Sequence, residues 1–291
     1  MTAKNKVIAI VGATASGKTS YSIELAKKLD GEIISADSRL VYKGFDIGTA
    51  KPTVEEREGI PHYLIDVVEP EVDYSVGLWA KEAEKCIDDI LSRGKTPIIV
   101  GGTGLYFRIL LEDYDLPKVE PNYELREELK NMDFSQLYER LYTKDSETAD
   151  LITKNDKKKI IRAIEVVESL NMPMNKARGV KEFSTYDVQW YGRNYPREEL
   201  YERINHRVDL MLEMGLVDEV KSLLNRHGRI SNLVDTIGYK EMIYYLDGQM
   251  SYKEASDLLK QNTRNYAKRQ LTWFRKNDKI NWNVYPETLK K

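Results

Sequence analysis

Val7-Ile8-Ala9-Ile10-Val11-Gly12-Ala13-Thr14-Ala15-Ser16-Gly17-Lys18-Thr19 decides how this chain is read, because it carries an apolar strand through a glycine-rich loop into a helix. Gly12 to Thr19 satisfies G-x-x-x-x-G-K-[ST] at every fixed position. The glycines permit the backbone turns by which the N–H groups of Thr14, Ala15, Ser16, Gly17, Lys18 and Thr19 converge on one anion. The helix opening near Lys18 adds the positive end of its dipole. Lys18 supplies a mobile charge and Thr19 a hydroxyl for phosphate or magnesium. The stretch predicts a diphosphate or triphosphate cradle. It leaves open whether a phosphoryl group is transferred or a phosphate merely leaves.

Working outward, Thr19 to Leu29 carries Ile23, Ala26 and Leu29 at helical spacing, and Glu32 to Ala36 forms a second short strand. Asp37-Ser38-Arg39 stands just past the carboxyl end of that strand, where open parallel sheets place their ligand crevice. A carboxylate there would hold magnesium or take a proton, with a structural cap as the plain alternative. His62 to Asp66 predicts a third strand, Ser75 to Leu91 a helix, and Pro97 to Val100 a fourth strand, apolar throughout as buried parallel strands are. That strand runs into Gly101-Gly102-Thr103-Gly104, whereas many phosphate-loop hydrolases end the equivalent strand in a magnesium-holding Asp. The difference counts against ordinary nucleotide hydrolysis.

After Leu116-Pro117 the strand-helix alternation stops. Tyr123 to Asn131, Phe134 to Tyr142 and Lys157 to Leu170 read as helices, the last with a stripe of Ile160, Ile161, Ile164, Val167 and Leu170. The expected architecture is therefore α/β: a P-loop NTPase-like parallel sheet core flanked by helices, with an all-helical insertion domain. The core takes 1–117 and 187–291, the insertion 118–186. Val188 to Tyr191 returns to the core as a strand, and helices follow at Arg197 to Met214 and Leu216 to Leu224. Ser251 to Arg275 forms a long basic helix opened by capping-box spacing between Ser251 and Glu254. It interleaves Arg264, Lys268, Arg269 and Arg275 with Tyr266, Trp273 and Phe274. That mixture suits phosphates and stacked bases, unless the aromatics turn to the core.

Composition sets the bounds. A chain of 291 residues with 41% hydrophobic content can bury a substantial core. A single cysteine, Cys86, excludes an internal disulfide and any cysteine-cluster zinc site. No apolar run approaches the roughly twenty residues of a membrane span, and the N-terminal strand is too short for a signal sequence, so a cytoplasmic protein with no membrane partner is expected. The net charge of −2 carries no global nucleic-acid signature. Two local blocks, Lys154 to Arg178 and Lys260 to Lys279, are nevertheless strongly cationic, and beside a phosphate loop they suggest a polyanionic partner.

Several stretches together resemble the tRNA dimethylallyltransferase (tRNA isopentenyltransferase) family. They are the phosphate loop, Ser35 to Tyr42, Asp46 to Pro52, Val100 to Tyr106, Asn155 to Val166, Arg203 to Asp209, Ile237 to Glu241 and Thr263 to Arg275, which cover nearly the whole chain in order. Two positions depart from the common pattern: Leu40 stands where many members have Gln, and Ala13 where many have Pro.

The resemblance implies transfer of a dimethylallyl group from dimethylallyl diphosphate to N6 of adenosine 37 in tRNAs reading codons that begin with U. It implies a catalytic set of Asp37 as base with Lys18, Thr19 and Arg207 on the leaving group, Arg203 being the weaker second arginine. The diphosphate would lie on Gly12, Thr14, Ala15, Ser16, Gly17, Lys18 and Thr19, with Mg2+ as cofactor held at Thr19. The implied tRNA-binding set is Asp37, Ser38, Arg39, Leu40, Thr103, Arg126, Lys158, Lys159, Arg162 and Lys240, with Thr103 at the target nucleotide and the basic insertion helix on the anticodon stem-loop. The expected molecule is a monomer that admits a flipped adenine. The competing reading is a P-loop small-molecule or nucleoside kinase, which shares the cradle but has no use for so large a basic helical half.

Overall fold

A computed structural model describes residues 5–112, 114–153, 156–177, 179 and 186–284. The chain divides into two compact units, Met1–Leu111 with Thr185–Lys291, and Glu112–Ser184.

The first unit opens with β1 (Asn5–Gly12), whose residues from Val7 onward are all buried, and the phosphate loop leads into α1 (Lys18–Leu29). Then come β2 (Gly31–Ala36), β3 (His62–Tyr63), α2 (Val76–Ser92), β4 (Thr96–Gly101) and α3 (Gly104–Leu111). The second unit contributes α4 (Tyr123–Lys130), α5 (Phe134–Tyr142), α6 (Ser146–Leu151), α7 (Lys157–Leu170) and α8 (Met174–Ala177). The chain returns through β5 (Tyr186–Arg193), α9 (Arg197–Glu213), α10 (Leu216–His227), α11 (Ser231–Val234), α12 (Tyr239–Leu246), α13 (Tyr252–Phe274) and β6 (Asn281–Trp282).

The six strands pair in the order β3-β2-β4-β1-β5-β6, every pair parallel. Ile8, Ile10, Ile33 and Ile98 meet Ile23, Leu25 and Ala26 of α1 in one apolar cluster. Burial on both faces explains why these strands read as unbroken apolar runs rather than as alternation. The register fixes the business edge of the sheet, since Val11 lies opposite Gly101, and Gly101 opposite Ala36. Parallel strands end on the same side, so the phosphate loop, Asp37 and the Gly-Gly-Thr turn all leave the sheet at one edge.

One expectation about strands needs correction, and one strand was not expected. The third strand stops at Tyr63 instead of reaching Asp66, because Leu64 (φ 60°) and Asp66 (φ 55°) adopt left-handed backbone that no strand continues through. β6 was not visible in the periodicity: its two residues borrow their order from β5, where Tyr191 pairs with Asn281.

In the second unit, Leu129, Leu137, Leu141, Ile160, Ile164 and Val167 form an independent core. Side-chain caps from Asn122, Asp133, Asp145 and Asp156 open its helices, which is why short charged helices hold without strands to pack on. Among the described residues no helix is long and apolar enough to cross a membrane.

Candidate active site

The loop between β1 and α1 holds its shape through backbone that few residues accept. Gly17 sits at φ 76° and Ala15 at φ 61°, both left-handed. The loop is backed by an apolar cluster in which Ala13 and Ala15 meet Leu200 and Ile204 of α9 and Ala267 of α13. Arg203 Nε donates to the carbonyl of Ala15 at 3.1 Å, while its guanidinium lies 4.3 Å from the centre of the Tyr195 ring. Arg203 therefore braces the loop from outside. Ser16 Oγ is buried in the loop with no hydrogen-bond partner among the described residues, a polar atom awaiting an acceptor or donor.

Beyond the loop lies a cleft of about 350 Å3, a usual size for a small-molecule site. Of the residues expected at the diphosphate and at the nucleotide, Thr14, Lys18, Thr19, Asp37, Ser38, Arg39, Leu40 and Arg207 line it. Gly12, Ala15, Ser16 and Gly17 shape the loop without lining the cleft, and Thr103 does not line it either.

The electrostatics of the cleft are unbalanced. Lys18 Nζ donates to the Ala13 carbonyl at 2.6 Å. Loss of solvent, with the Arg207 guanidinium adding repulsion and Asp37 pulling the other way, brings the Lys18 ammonium down to about 7. Arg207 lies one helical turn after Arg203 on α9, so both point to the same side. Desolvation, then repulsion from Arg203, holds Arg207 below its ordinary value, and it makes no hydrogen bond or ion pair with any described residue. A cation left in this condition is what an incoming polyanion would relieve.

Opposite the cations, the Asp37 carboxylate accepts from Arg39 N at 2.8 Å. Ser38 N donates to Thr103 Oγ1 at 3.2 Å, and Thr103 N donates to the Ala36 carbonyl at 3.2 Å. Thr103 thus ties the end of β4 to the Asp37 turn. Tyr266 of α13 lines the cleft; burial, then the charge of Asp37, pushes its hydroxyl up.

The connection between the two loops was missed in the sequence. Gln270 is buried, its Oε1 accepting from Thr14 N at 2.8 Å and its Nε2 donating to the Gly102 carbonyl at 3.0 Å. One amide clamps the phosphate loop to the Gly-Gly-Thr turn. It also explains Gly102, since a Cβ there would sit 2.0 Å from Gln270 Nε2. The available signal was a glutamine on the buried stripe of α13, in line with Ala267 and Phe274. Glu219 went unnoticed too. Its carboxylate accepts from Ile47 N, Gly48 N and the Tyr239 hydroxyl at 2.8, 3.0 and 2.8 Å, pinning the Asp46 to Lys51 loop whose Gly48, Thr49 and Ala50 line the cleft.

The remaining expected tRNA contacts lie elsewhere. Lys240 is exposed on α12, 5.8 Å from the Tyr244 ring centre. In the second unit, Lys158 and Lys159 are exposed on the first turn of α7, where Lys159 pairs with Asp156 at 2.6 Å. Arg126 and Arg162 serve structure first. Both bind the fully buried Glu165, Arg126 through Nε and Nη2 at 2.8 and 2.9 Å, and Asn122 N adds a third donor at 2.7 Å.

For a metal, Thr19 offers its hydroxyl on the exposed first turn of α1 and Asp37 a carboxylate in the same cleft. Among the described residues no group of three or more His, Cys, Asp or Glu could hold a metal ion. That sparse all-oxygen set fits Mg2+, which takes few protein ligands and completes its shell from phosphates and water.

A parallel sheet whose phosphate loop and Asp37 line one small-molecule-sized cleft, with a Gly-Gly-Thr turn where many phosphate-loop hydrolases carry a metal-holding Asp, fits a phosphate-loop transferase. The family can be given more closely. The sequence model of the IPP transferase family matches residues 40–277, and the chain belongs to that family, a family of prenyltransferases. It is 47% identical to the tRNA dimethylallyltransferase of Macrococcus caseolyticus over 284 residues, covering 96% of this chain and 90% of that one. The full-length tRNA isopentenylpyrophosphate transferase of Bacillus halodurans superimposes with a TM-score of 0.72 at 43% identity, covering 96% and 89% of the two chains. A eukaryotic dimethylallyltransferase acting on tRNA gives a TM-score of 0.76 at 31% identity, covering 93% of this chain and 70% of that one.

Proposed function

We propose that this protein transfers the dimethylallyl group of dimethylallyl diphosphate to N6 of adenosine 37 in tRNAs that read codons beginning with U, in the cytoplasm. The observation that carries the reading is the juxtaposition of Lys18 and Arg207, both depressed and facing the cleft, with Asp37 lining the same cleft.

Adenine N6 is a weak nucleophile because its lone pair is delocalised into the ring. As it attacks C1 of the prenyl group, the C1–O bond breaks, the bonding pair leaves with diphosphate, and N6 gains positive character. Asp37 takes the N6 proton, returning a neutral secondary amine. Thr14 N and Ser16 N are engaged by Gln270 Oε1 and the Ala13 carbonyl, so it is the loop's remaining backbone N–H groups, with Lys18 and Arg207, that face the charge gathering on the departing oxygen. Mg2+, held by Thr19 and the diphosphate, would supply further charge neutralisation. Leu40, Val100, Val208 and Met211 line the cleft and suit an apolar five-carbon chain. The adenine must leave its stack to enter, at a cost of a few kcal/mol that phosphate contacts elsewhere offset.

The test supplies protein, Mg2+ and unmodified tRNA with either labelled dimethylallyl diphosphate or γ-labelled ATP. Label is expected on tRNA from the prenyl donor only. Label passing from ATP to a small acceptor, with none reaching tRNA from the prenyl donor, would reinstate the kinase.

A further inference from the structure

Two segments far apart in the chain meet at the cleft, and a carboxylate that belongs to neither holds them together. Gly48, Thr49 and Ala50 line the cleft from one segment, and Asp235, Thr236 and Ile237 line it from the other. The segments touch through two glycines. Gly238 holds φ 100°, and a Cβ there would lie 3.2 Å from the Gly48 carbonyl oxygen; a Cβ at Gly48 would lie 2.2 Å from Tyr239 Cε1. The fully buried Tyr239 ring therefore lies directly against the Gly48 backbone, with the Phe45 ring at 84° to it and 4.8 Å away between centres.

Glu219, on the first turn of α10, closes this contact. Its Oε1 accepts from both Gly48 N at 3.0 Å and the Tyr239 hydroxyl at 2.8 Å, while Oε2 accepts from Ile47 N at 2.8 Å. A second carboxylate extends the series. The buried Glu241 accepts from Gly238 N at 2.8 Å and from Asn262 Nδ2 of α13 at 2.6 Å, beside Thr263, which also lines the cleft. Three walls of the cleft are thus joined through two carboxylates, neither of which pairs with a cation among the described residues.

Packing alone does not ask for this arrangement. A carboxylate taken out of water loses hydration that an apolar residue never had, so it destabilises unless its hydrogen bonds are made. What it provides is direction, since two oxygens in fixed geometry hold three donors at set distances. Distance matters where two reactants must meet: a misplacement of about 1 Å, even from a change far from the chemistry, costs about 10²-fold in rate. The Gly48 segment also flanks the leaving group, because Glu56, further along it, acts on the Arg207 guanidinium. We propose that Glu219 is a positioning residue for transfer: by fixing the Gly48 to Ala50 edge of the cleft against the Asp235 to Ile237 edge, it sets the width over which N6 meets C1. The inference rests on the prenyl-transfer reading above, and Glu219 does not itself line the cleft.

Single-turnover transfer, the thermal midpoint, and separate affinities for dimethylallyl diphosphate and tRNA, all measured on the full chain, test it. Tyr239→Phe keeps the ring against Gly48 and removes only the hydroxyl. Its transfer rate is expected to fall about tenfold, with the midpoint within about 4 °C and both affinities within about threefold of the parent. Glu219→Gln, which keeps one acceptor oxygen, is expected to lose about tenfold in rate and Glu219→Ala about 10²-fold. Should Glu219→Ala fail to fold, Tyr239→Phe decides the matter. Lowered midpoints with parental single-turnover rates would overturn the inference and leave Glu219 a structural anchor. So would a loss confined to the affinity for one substrate, which marks an edge that binds rather than spaces. A parent chain that transfers no prenyl group to tRNA brings down the functional reading; an active parent with unimpaired variants removes Glu219 alone.

Discussion

At the residue scale, Lys18 and Asp37 make the sharpest claims. Lys18, held near 7, is largely neutral at pH 8 in the free protein, and a bound diphosphate would restore its proton. The sign follows: binding of the anion takes up a proton above pH 7, so donor affinity weakens as pH rises, by up to about tenfold per unit. Titration calorimetry at pH 8 in buffers of different ionisation heat should register that uptake, and Lys18→Met should abolish it. A pH-independent donor affinity in the parent would contradict the assigned charge state. For Asp37, the substitution Asp37→Asn keeps an oxygen for Arg39 N but removes the base. Turnover should fall by about 10²–10⁴-fold with tRNA affinity unchanged, read by single-turnover kinetics beside a binding assay. Near-parental turnover would take the proton away from Asp37.

At the scale of elements, α13 organises the site although it lies more than 150 residues from the phosphate loop by number. Its buried face holds two loops together through Gln270, and its cleft face supplies Tyr266. Gln270→Leu removes both hydrogen bonds and leaves Thr14 N and the Gly102 carbonyl without partners, at a cost of about 2 kcal/mol. Because Thr14 belongs to the diphosphate cradle, the KM for the donor should rise about tenfold, and Gln270→Glu, which can accept from Thr14 N but cannot donate to Gly102, should recover part of the loss. Steady-state kinetics with each substrate varied in turn will show it; a loss of thermal stability with unchanged KM would confine Gln270 to packing. α9 acts similarly, presenting Arg203 to the loop and Arg207 to the cleft from adjacent turns.

At the scale of the whole molecule, two separately cored units divide the work. The helical unit centres on Glu165. Burial alone would raise its carboxyl, but Arg126, Arg162 and Asn122 N outweigh that and hold it below its ordinary value. A depressed carboxyl stabilises fully above its unfolded pKa of about 4.5 and loses that contribution as pH falls through its lower folded value, so this unit should loosen only in acid below about pH 4.5. Glu165→Ala strands two arginines and should cost about 3 kcal/mol, visible as early hydrogen exchange confined to 123–170 while the sheet stays protected. It follows that charge reversal at Arg162 disturbs folding as well as any RNA contact, and Lys158 and Lys159, exposed on the same helix, are the cleaner probes.

The phosphate loop, the apolar strands, the helical insertion and the carboxylate after β2 were all legible because each is a local pattern: a spacing, a periodicity, a residue beside an element's end. The early stop of β3 was not, since nothing in His62 to Asp66 forbids extended backbone; the turn is imposed by partners such as Lys51, which pairs with Asp66. Gln270 read as one polar residue in a basic helix, and Trp273 and Phe274 as equivalent aromatics. The fold sends Phe274 to the core and leaves Trp273 partly exposed against Gly104. The sequence by itself determined the fold class and the family and named part of the cleft lining, because hydrophobic period and motif spacing act over a few residues. Only the tertiary structure decided which polar groups meet: Gln270 on two loops, Arg203 on the loop and Arg207 in the cleft, Arg126 and Arg162 on Glu165. Those pairings depend on parallel register and helix rotation, and both are set by packing between residues far apart in the chain.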